Sequence, residues 1–315
     1  MDEREAARDG AATEVEDGVW LIDLGFQGRT GVIGAYLLAG NDELALIESG
    51  PATTLPALWG GIRAAGFDPA RLTTVLLTHI HLDHGGATGP LARDNPDLVV
   101  YVHPVGAPHL VDPSKLVASA TRIYGDQMGP LWGEIIPIPE QQVRPLAEGE
   151  TLSVAGRVLS ALFTPGHASH HVAFWDAAAG AAYTGDVGGI RMPGTVYVCP
   201  PTPPPDLDPD AWRESVVRLQ TLAPRRLYLT HYGPYDDAAP HLAQLAPHLD
   251  DFLTIGERAL AGGADQAQLT ALLHDRMAAE LGDVPEDVLV NLEWATPSYM
   301  AALGLTRFWR KRQGT

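Results

Sequence analysis

The feature that most constrains the fold of this chain is a cluster of metal-competent side chains in the run Thr78-His79-Ile80-His81-Leu82-Asp83-His84-Gly85-Gly86. The preceding residues 72–78 are apolar and β-branched, which predicts a buried strand. Side chains alternate between two faces of extended backbone, so His79 and His81 point to the same side. The two glycines free the backbone to turn after Asp83 and His84. The sequence therefore predicts a strand end that presents four potential metal ligands.

Composition excludes several other classes of protein. Of 315 residues, 45% are hydrophobic and 19% are charged, which indicates a globular chain with a sizeable core. The net charge of −18 argues against broad contact with nucleic acid or anionic lipid. The single cysteine, Cys199, excludes an intramolecular disulfide and a cysteine-cluster metal site.

Targeting signals are not evident in the sequence. The residues Met1 to Glu5 are acidic where a secretory signal would be basic and then apolar. No apolar run approaches the roughly 20 residues needed to span a bilayer. We therefore expect a cytoplasmic protein with no nucleic-acid or membrane partner.

The polarity pattern divides the chain into three predicted regions. Residues 1–18 are acidic and rich in Ala and Gly, which predicts a mobile tail. Residues 19–237 alternate strand and helix patterns, which predicts a mixed α/β domain, and residues 238–315 show helical spacing, which predicts a helical extension packed on it. The main predicted elements are strands at 19–23, 31–38, 44–47, 72–78, 98–102, 151–162, 171–175, 181–184 and 226–230 (the last strand), helices at 53–65, 208–222, 241–260, 265–281 and 285–303, and an extended proline-rich loop at 200–205.

Three further stretches place metal-type side chains after predicted strands. They are Thr164-Pro165-Gly166-His167, Tyr183-Thr184-Gly185-Asp186 and Thr230-His231-Tyr232-Gly233. Together with the first motif, and in the same order along the chain, they resemble the ligand-bearing segments of the metallo-β-lactamase superfamily, in its glyoxalase II and lactonase-like branch. The resemblance spans roughly residues 19–233.

The resemblance implies both a fold and a ligand set. The fold would be a four-layer αβ/βα sandwich with a helical C-terminal extension that either covers one face or forms a homodimer contact. The all-nitrogen and oxygen donor set suits two divalent ions, zinc first, with iron or manganese as alternatives. The implied ligands are His79, His81 and His167 for one ion, Asp83, His84 and His231 for the other, and Asp186 shared by both.

The resemblance also implies a reaction. Two ions roughly 3.5–4 Å apart can share a hydroxide and polarise an electrophilic oxygen, with Asp83 orienting the hydroxide. The predicted function is hydrolysis of a small thioester, lactone or carboxylic ester. Three alternatives remain open at this point: a phosphodiesterase of the same fold, a mononuclear iron persulfide dioxygenase, and a non-catalytic metal-binding module.

Several residues depart from the family pattern or lie near it without a clear role. The family commonly has Asp-Thr-Gly where this chain has Glu48-Ser49-Gly50, so Glu48 either orients a ligand through hydrogen bonds or lies on the surface. We expect Cys199 to be a packing residue, and His170 and His171 to be structural. The aromatic and methionine residues near the motifs either line a substrate cleft or pack in the core; they are Tyr124, Met128, Trp132, Met192, Tyr197 and Tyr232.

Overall fold

The computed structural model describes residues 10–314, which form two compact units. The first unit runs to Phe163 and includes Val172–Ala179; the second comprises Thr164–His171 and the chain from Gly180 onward. Among residues 10–314, no helix combines the length and the apolar character required to cross a membrane.

The first unit contains a seven-stranded sheet whose strands follow one another in chain order. Strands β1 to β4 are antiparallel neighbours, and β4 to β7 are parallel neighbours. Parallel strands end at the same edge of a sheet, so the chain segments after β4, β5 and β6 start side by side. The strands are β1 Ala11–Glu16, β2 Val19–Asp23, β3 Gly34–Gly40, β4 Glu43–Ile47, β5 Leu72–Leu76, β6 Val99–Val102 and β7 Val143–Pro145.

Strand β1 corrects the prediction of a mobile tail over residues 1–18. Residues 11–16 pair with β2 in antiparallel register, with Ala12 opposite Ile22 and a bulge between Glu14 and Glu16. This is an edge strand whose side chains are exposed or half-buried, so it carries no apolar signal in the sequence. The first nine residues of the predicted tail lie outside the part of the chain that the structure describes.

Helices and a second group of strands complete the first unit. Helix α1 buries Leu58 and Ile62 and agrees with the helix predicted at 53–65. The strand region predicted at 151–162 is divided by a turn at Ala155 and Gly156, both with positive φ, into two strands of an antiparallel meander. These elements are α1 Leu55–Ala64, α2 Leu82–Gly85, α3 Thr88–Asp94, α4 Ala107–Val111, α5 Ser114–Tyr124, α6 Met128–Trp132, β8 Thr151–Val154, β9 Arg157–Phe163 and β10 Val172–Asp176.

The second unit begins with three short strands. Strand β11 (Ala181–Tyr183) is parallel to β12 (Arg226–Leu229), and β12 is antiparallel to β13 (Gly233–Tyr235). The prediction that 226–230 is the last strand was therefore wrong. Strand β13 was missed because it has only three residues, one of them a proline, and shows no apolar run. Helix α7 (Pro209–Thr221) begins at Asp208, whose side chain accepts from the backbone N–H groups of two residues in the first turn. Residues 200–205 contain neither a helix nor a regular strand, as predicted.

Four helices follow the strands of the second unit. The helix predicted at 285–303 is in fact two helices, because the chain turns at Thr296 and Pro297. Helix α8 packs on α7, and α8, α9 and α11 pack on one another around a core that includes Leu249, Leu273 and Leu305. The helices are α8 Ala238–Ala261, α9 Gln266–Leu281, α10 Glu286–Ala295 and α11 Ser298–Gln313.

Candidate functional site

The first unit brings the histidines of the 79–84 motif together at the carboxyl end of β5. His79 Nε2 lies 2.9 Å from His81 Nδ1, and the rings of His79 and His84 have centroids 4.0 Å apart. Asp83 Oδ2 lies 3.7 Å from His84 Nε2. His79 and His84 are fully buried, whereas His81 and Asp83 are partly exposed. The first unit therefore assembles all four donors predicted in this motif, with two of them accessible.

Glu48 is a buried partner of this cluster and not a surface residue. It follows β4, has a φ of 69°, and has no exposed surface. Its carboxylate accepts hydrogen bonds from His84 Nδ1 at 3.0 Å and from the backbone N–H of Thr78 at 3.3 Å, and it also contacts the Thr78 hydroxyl. Suitable atoms of Glu48, His79 and His84 lie within 4.8 Å of one another. A carboxylate that accepts from Nδ1 fixes the imidazole so that Nε2 would be the nitrogen offered to a metal ion.

The turn after Glu48 also holds the backbone of the motif. The N–H groups of Ser49 and Gly50 donate to the His84 carbonyl at 2.8 and 2.9 Å, and the Ser49 hydroxyl donates to the same oxygen at 3.0 Å. Gly50 has a φ of 71°, and a Cβ there would lie 2.2 Å from Leu24 Cδ1. The Glu48-Ser49-Gly50 segment therefore positions His84 through both its side chain and its backbone.

The second unit brings together the other three predicted ligands, with two imidazoles facing one carboxylate. Asp186 lies in the turn after β11, and His231 follows β12, which is the parallel neighbour of β11. His167 Nε2 lies 3.3 Å from Asp186 Oδ2, and His231 Nε2 lies 3.6 Å from Asp186 Oδ1. All three side chains are buried. Two imidazoles thus face different oxygens of one carboxylate at separations longer than charge-assisted hydrogen bonds, a geometry that fits a bridging ligand.

His167 is held by two neighbouring segments of the second unit. Its Nδ1 donates to the Pro201 carbonyl at 2.9 Å, which leaves Nε2 facing Asp186. The preceding Gly166 accepts from the Asp208 N–H at 2.8 Å, and its φ is 142°. A Cβ on Gly166 would lie 2.3 Å from Trp212 Cα, so only glycine allows this approach of the loop to α7.

His171 links the loop of His167 to the turn of Asp186. Its Nδ1 lies 2.9 Å from the Thr164 hydroxyl, and its Nε2 accepts from the Val187 N–H at 3.3 Å. Both ring nitrogens of this buried residue therefore have protein partners. A structural role for His171 follows from these bonds.

Arg191 supports His231 and was not identified from the sequence. Its backbone N–H donates to the His231 carbonyl at 2.8 Å, while its guanidinium donates to Thr195 O at 2.7 Å and to both oxygens of Asp237 at 2.8 and 2.9 Å. The arginine is almost completely buried and lies over the Tyr235 ring. The only sequence signal was an arginine inside an otherwise apolar loop.

Other candidate residues take part in packing. Burial raises the pKa of the Cys199 thiol to about 12, and its sulfur lies 3.6 Å from the Met277 sulfur. Trp132 is buried and stacked on Phe26, while Met192 and Tyr197 are also buried.

The buried histidine His241 of α8 also has a packing role. Desolvation lowers the pKa of His241 to about 4, and its Nε2 donates to the Gly188 carbonyl at 2.8 Å.

The donor chemistry of the two groups fits divalent metal ions. Each unit presents buried imidazole nitrogens beside carboxylate oxygens, and at three histidines a second protein group fixes the ring. Nitrogen and oxygen donors of this kind suit zinc, iron or manganese. Buried carboxylates and imidazoles at such short range are stabilised when a cation is shared between them.

Comparison with known proteins places this geometry in context. The chain is 28% identical over 265 residues to an atrochrysone carboxyl ACP thioesterase of Aspergillus fumigatus, an alignment that covers 79% of this chain and 70% of that protein. It is 29% identical over 151 residues to a hydroxyacylglutathione hydrolase of a Synechococcus strain, covering 48% of this chain and 47% of that protein.

Solved structures and a family model agree on the fold. A metallo-beta-lactamase family protein of Thermus thermophilus superposes with a TM-score of 0.67 at 24% identity, covering 96% of this chain and 95% of that one. The α/β sandwich with C-terminal helices is thereby confirmed as the fold class. The model of the metallo-beta-lactamase superfamily matches residues 28–231, which is most of the chain. The chain therefore belongs to the metallo-beta-lactamase superfamily.

Proposed function

We propose that this protein is a zinc-dependent hydrolase that cleaves small carboxylic thioesters, with lactones and other esters as related substrates. Membership of the superfamily and the buried histidine and carboxylate groups support a metal-dependent hydrolase. The observation that carries the choice of substrate class is the similarity over 79% of the chain to a protein named as a thioesterase. The acidic net charge of −18 favours an enzyme that acts on small molecules over a nuclease.

The proposal joins the two donor groups into one dinuclear centre. His79, His81 and His167 would hold one ion, Asp83, His84 and His231 the other, and Asp186 both. When bound, two such ions would lower the pKa of a coordinated water to about 7 and polarise the acyl carbonyl oxygen. Support comes from the motif order along the chain and from the pairing of Asp186 with two imidazoles.

Asp83 is the residue proposed to orient the attacking water or hydroxide. It is a partly exposed member of the first donor group, with a side chain that is 22% accessible, and it lies next to His84. A carboxylate in this position can accept a hydrogen bond from the water and orient its lone pair toward the substrate carbonyl. The buried carboxylate of Glu48 is less suited to that role, because its oxygens already accept from Thr78 and His84.

Several histidines of the site already have hydrogen-bond partners in the protein, which favours a leaving group that needs no proton. The Nδ1 atoms of His84 and His167 donate to Glu48 and Pro201, and both nitrogens of His171 have partners. None of these imidazoles is arranged to serve as a general acid. A thiol has a pKa of about 8.5 and departs as a thiolate near neutral pH, whereas an alkoxide must be protonated. This difference supports thioesters as the preferred substrates.

Metal analysis followed by a hydrolase panel on the same sample tests the proposal. We expect two equivalents of zinc and faster turnover of acyl thioesters than of the matching oxygen esters. Cleavage of phosphodiesters alone would contradict the assignment to carboxylic substrates. One equivalent of iron together with oxygen consumption on a persulfide would replace the hydrolase by a dioxygenase. Inactivity toward every substrate with metal bound would favour a binding module.

A further inference from the structure

We propose that helix α11, at the C-terminal end of the chain, positions the metal ligand His167 by clamping the proline-rich segment 201–205. This inference rests on the proposed function, since it treats His167 as a ligand. It assigns a role to Gly304 and Arg307, neither of which belongs to the ligand motifs. Every contact in the chain of support lies within the second unit.

The first link joins His167 to the proline-rich segment. The Pro201 carbonyl accepts from His167 Nδ1 at 2.9 Å, and both residues are buried. This bond sets the tautomer and the plane of the ring, so that Nε2 faces Asp186. Any displacement of Pro201 therefore rotates or releases the ligand nitrogen.

The second link is the need of this segment for outside support. Prolines have no N–H group to donate, so a segment with four of them among residues 201–205 cannot join a regular ladder of backbone bonds. Its carbonyl oxygens are the only backbone groups that the prolines can offer to a neighbour. The position of Pro201 consequently depends on what packs against Thr202 to Pro205.

The third link is a backbone-to-backbone approach at Gly304. A Cβ on Gly304 would lie 1.9 Å from Thr202 O and 2.9 Å from the Pro203 carbonyl carbon. Those are backbone atoms that cannot rotate aside, so only glycine lets the helix reach this segment. One turn further along, Arg307 Nε donates to Pro205 O at 3.2 Å. Helix α11 thus contacts the segment on both sides of Pro203.

The fourth link fixes α11 itself in the second unit. Ala301, Ala302 and Leu305 of this helix are buried, and Leu305 lies opposite Gly256 of α8. A helix held in this way cannot recede when its approach to the segment is blocked. A larger residue at 304 must therefore push Thr202 and Pro203, and with them Pro201, away from the helix.

The test measures binding of Co²⁺, used alone as a probe, to full-length protein stripped of metal. Gly304→Ala should weaken one of the two Co²⁺ sites by about 10–100-fold, the range seen when a partner of a ligand histidine is disturbed, and should alter its visible absorption bands. The control is Gly129→Ala in the exposed part of α6, where an added Cβ would meet no neighbouring atom within 4 Å. Gly129→Ala should leave both affinities within about twofold.

A second variant keeps the inference testable if Gly304→Ala does not fold. Arg307 is exposed, so Arg307→Met should fold, and we expect a smaller weakening, of about two- to fivefold, at the same site. Equal affinities in Gly304→Ala and Gly129→Ala, or an unchanged Arg307→Met where Gly304→Ala is unfolded, would overturn the role of α11. A wild-type protein that binds no Co²⁺ would instead refute the proposed function itself, and this inference with it.

Discussion

The two donor groups differ in how the chain builds them. In the first unit, four donors come from one stretch of six residues, and a side chain, Glu48, fixes the ring of His84. In the second unit, three donors come from three distant loops, and backbone groups support two of them: Pro201 O accepts from the His167 ring, and the Arg191 N–H holds the backbone carbonyl of His231. The local cluster (His79, His81, Asp83 and His84) therefore depends on few residues. The dispersed group (His167, Asp186 and His231) depends on the packing of the unit around it.

This difference has a consequence for mutation. The supports of the dispersed group are largely carbonyl and N–H groups, which substitution cannot remove directly. Those supports can be disturbed only through the residues that place them, such as Gly166, Gly304 and the Arg191 side chain. The local cluster also has backbone support at the His84 carbonyl, but the Glu48 carboxylate that fixes the His84 ring can be altered by substitution without moving the backbone.

The largest expected effect is at the centre of the dispersed group. Asp186→Asn retains the size of the side chain but removes the negative charge that two imidazoles face at 3.3 and 3.6 Å. We expect loss of about one metal equivalent and a fall in kcat of roughly a thousandfold or more. Metal stoichiometry, kcat and thermal melting should be measured on the same preparations. Full activity with one ion bound would show that the reaction needs no bridging carboxylate.

The next effect tests the local cluster. Glu48→Gln keeps the shape of the side chain but replaces a carboxylate by an amide beside His84 Nδ1, so the ring is held less firmly and is less basic. We expect metal affinity or kcat to fall by about 10–100-fold. Glu140→Gln, at an exposed glutamate, is the control and should match wild type. An unaffected Glu48→Gln would mean that backbone bonds to the His84 carbonyl suffice for the local cluster.

Sequence reasoning was most successful for the local cluster and its strand. The spacing of His79, His81, Asp83 and His84 after an apolar run is visible in the sequence because period-two alternation and strand burial act over neighbouring residues. The ligand positions of the dispersed group were predicted through resemblance to a family, and the motif order alone gave no distances.

The supports of the dispersed group could not be predicted, for physical reasons. The Pro201 carbonyl and the Gly304 approach are backbone contacts between segments far apart in the chain, and backbone groups are the same for every sequence. The role of Glu48 was left open because an acid after an apolar strand can turn either inward or outward. Its burial is decided by the parallel pairing of Ile47 with Leu76, which places the ends of β4 and β5 side by side.

A smaller effect is expected at Arg191, which supports the dispersed group only indirectly, through the backbone of His231. Arg191→Met preserves much of the side-chain volume but removes the hydrogen bonds to Thr195 O and the Asp237 carboxylate. We expect a loss of about 1.5–3 kcal/mol in the free energy of unfolding and a fall in kcat of about tenfold, because His231 is less firmly held. Chemical denaturation and steady-state kinetics measure the two effects. Asp237→Asn leaves the Thr195 bond in place and should lie between Arg191→Met and wild type.

The smallest effect on activity is expected at Cys199, which contacts neither group. Cys199→Ala should leave kcat/KM for a thioester within about threefold of wild type, because a thiol whose pKa is raised to about 12 holds its proton at neutral pH and cannot act as a nucleophile. Complete inactivation with both metals bound would instead indicate covalent chemistry at the sulfur.

The same substitution should change how stability depends on alkaline pH. The thiol ionises near its ordinary pKa of about 8.5 in the unfolded chain, whereas burial holds the folded pKa near 12. Between these values the unfolded chain binds fewer protons than the folded one, so the contribution of this group to stability is complete below the unfolded pKa and is lost as the pH rises toward 12. Thermal melting should therefore show wild type losing stability faster than Cys199→Ala above about pH 8.5. Parallel melting curves across this range would mean that Cys199 is more accessible to solvent than its buried position indicates.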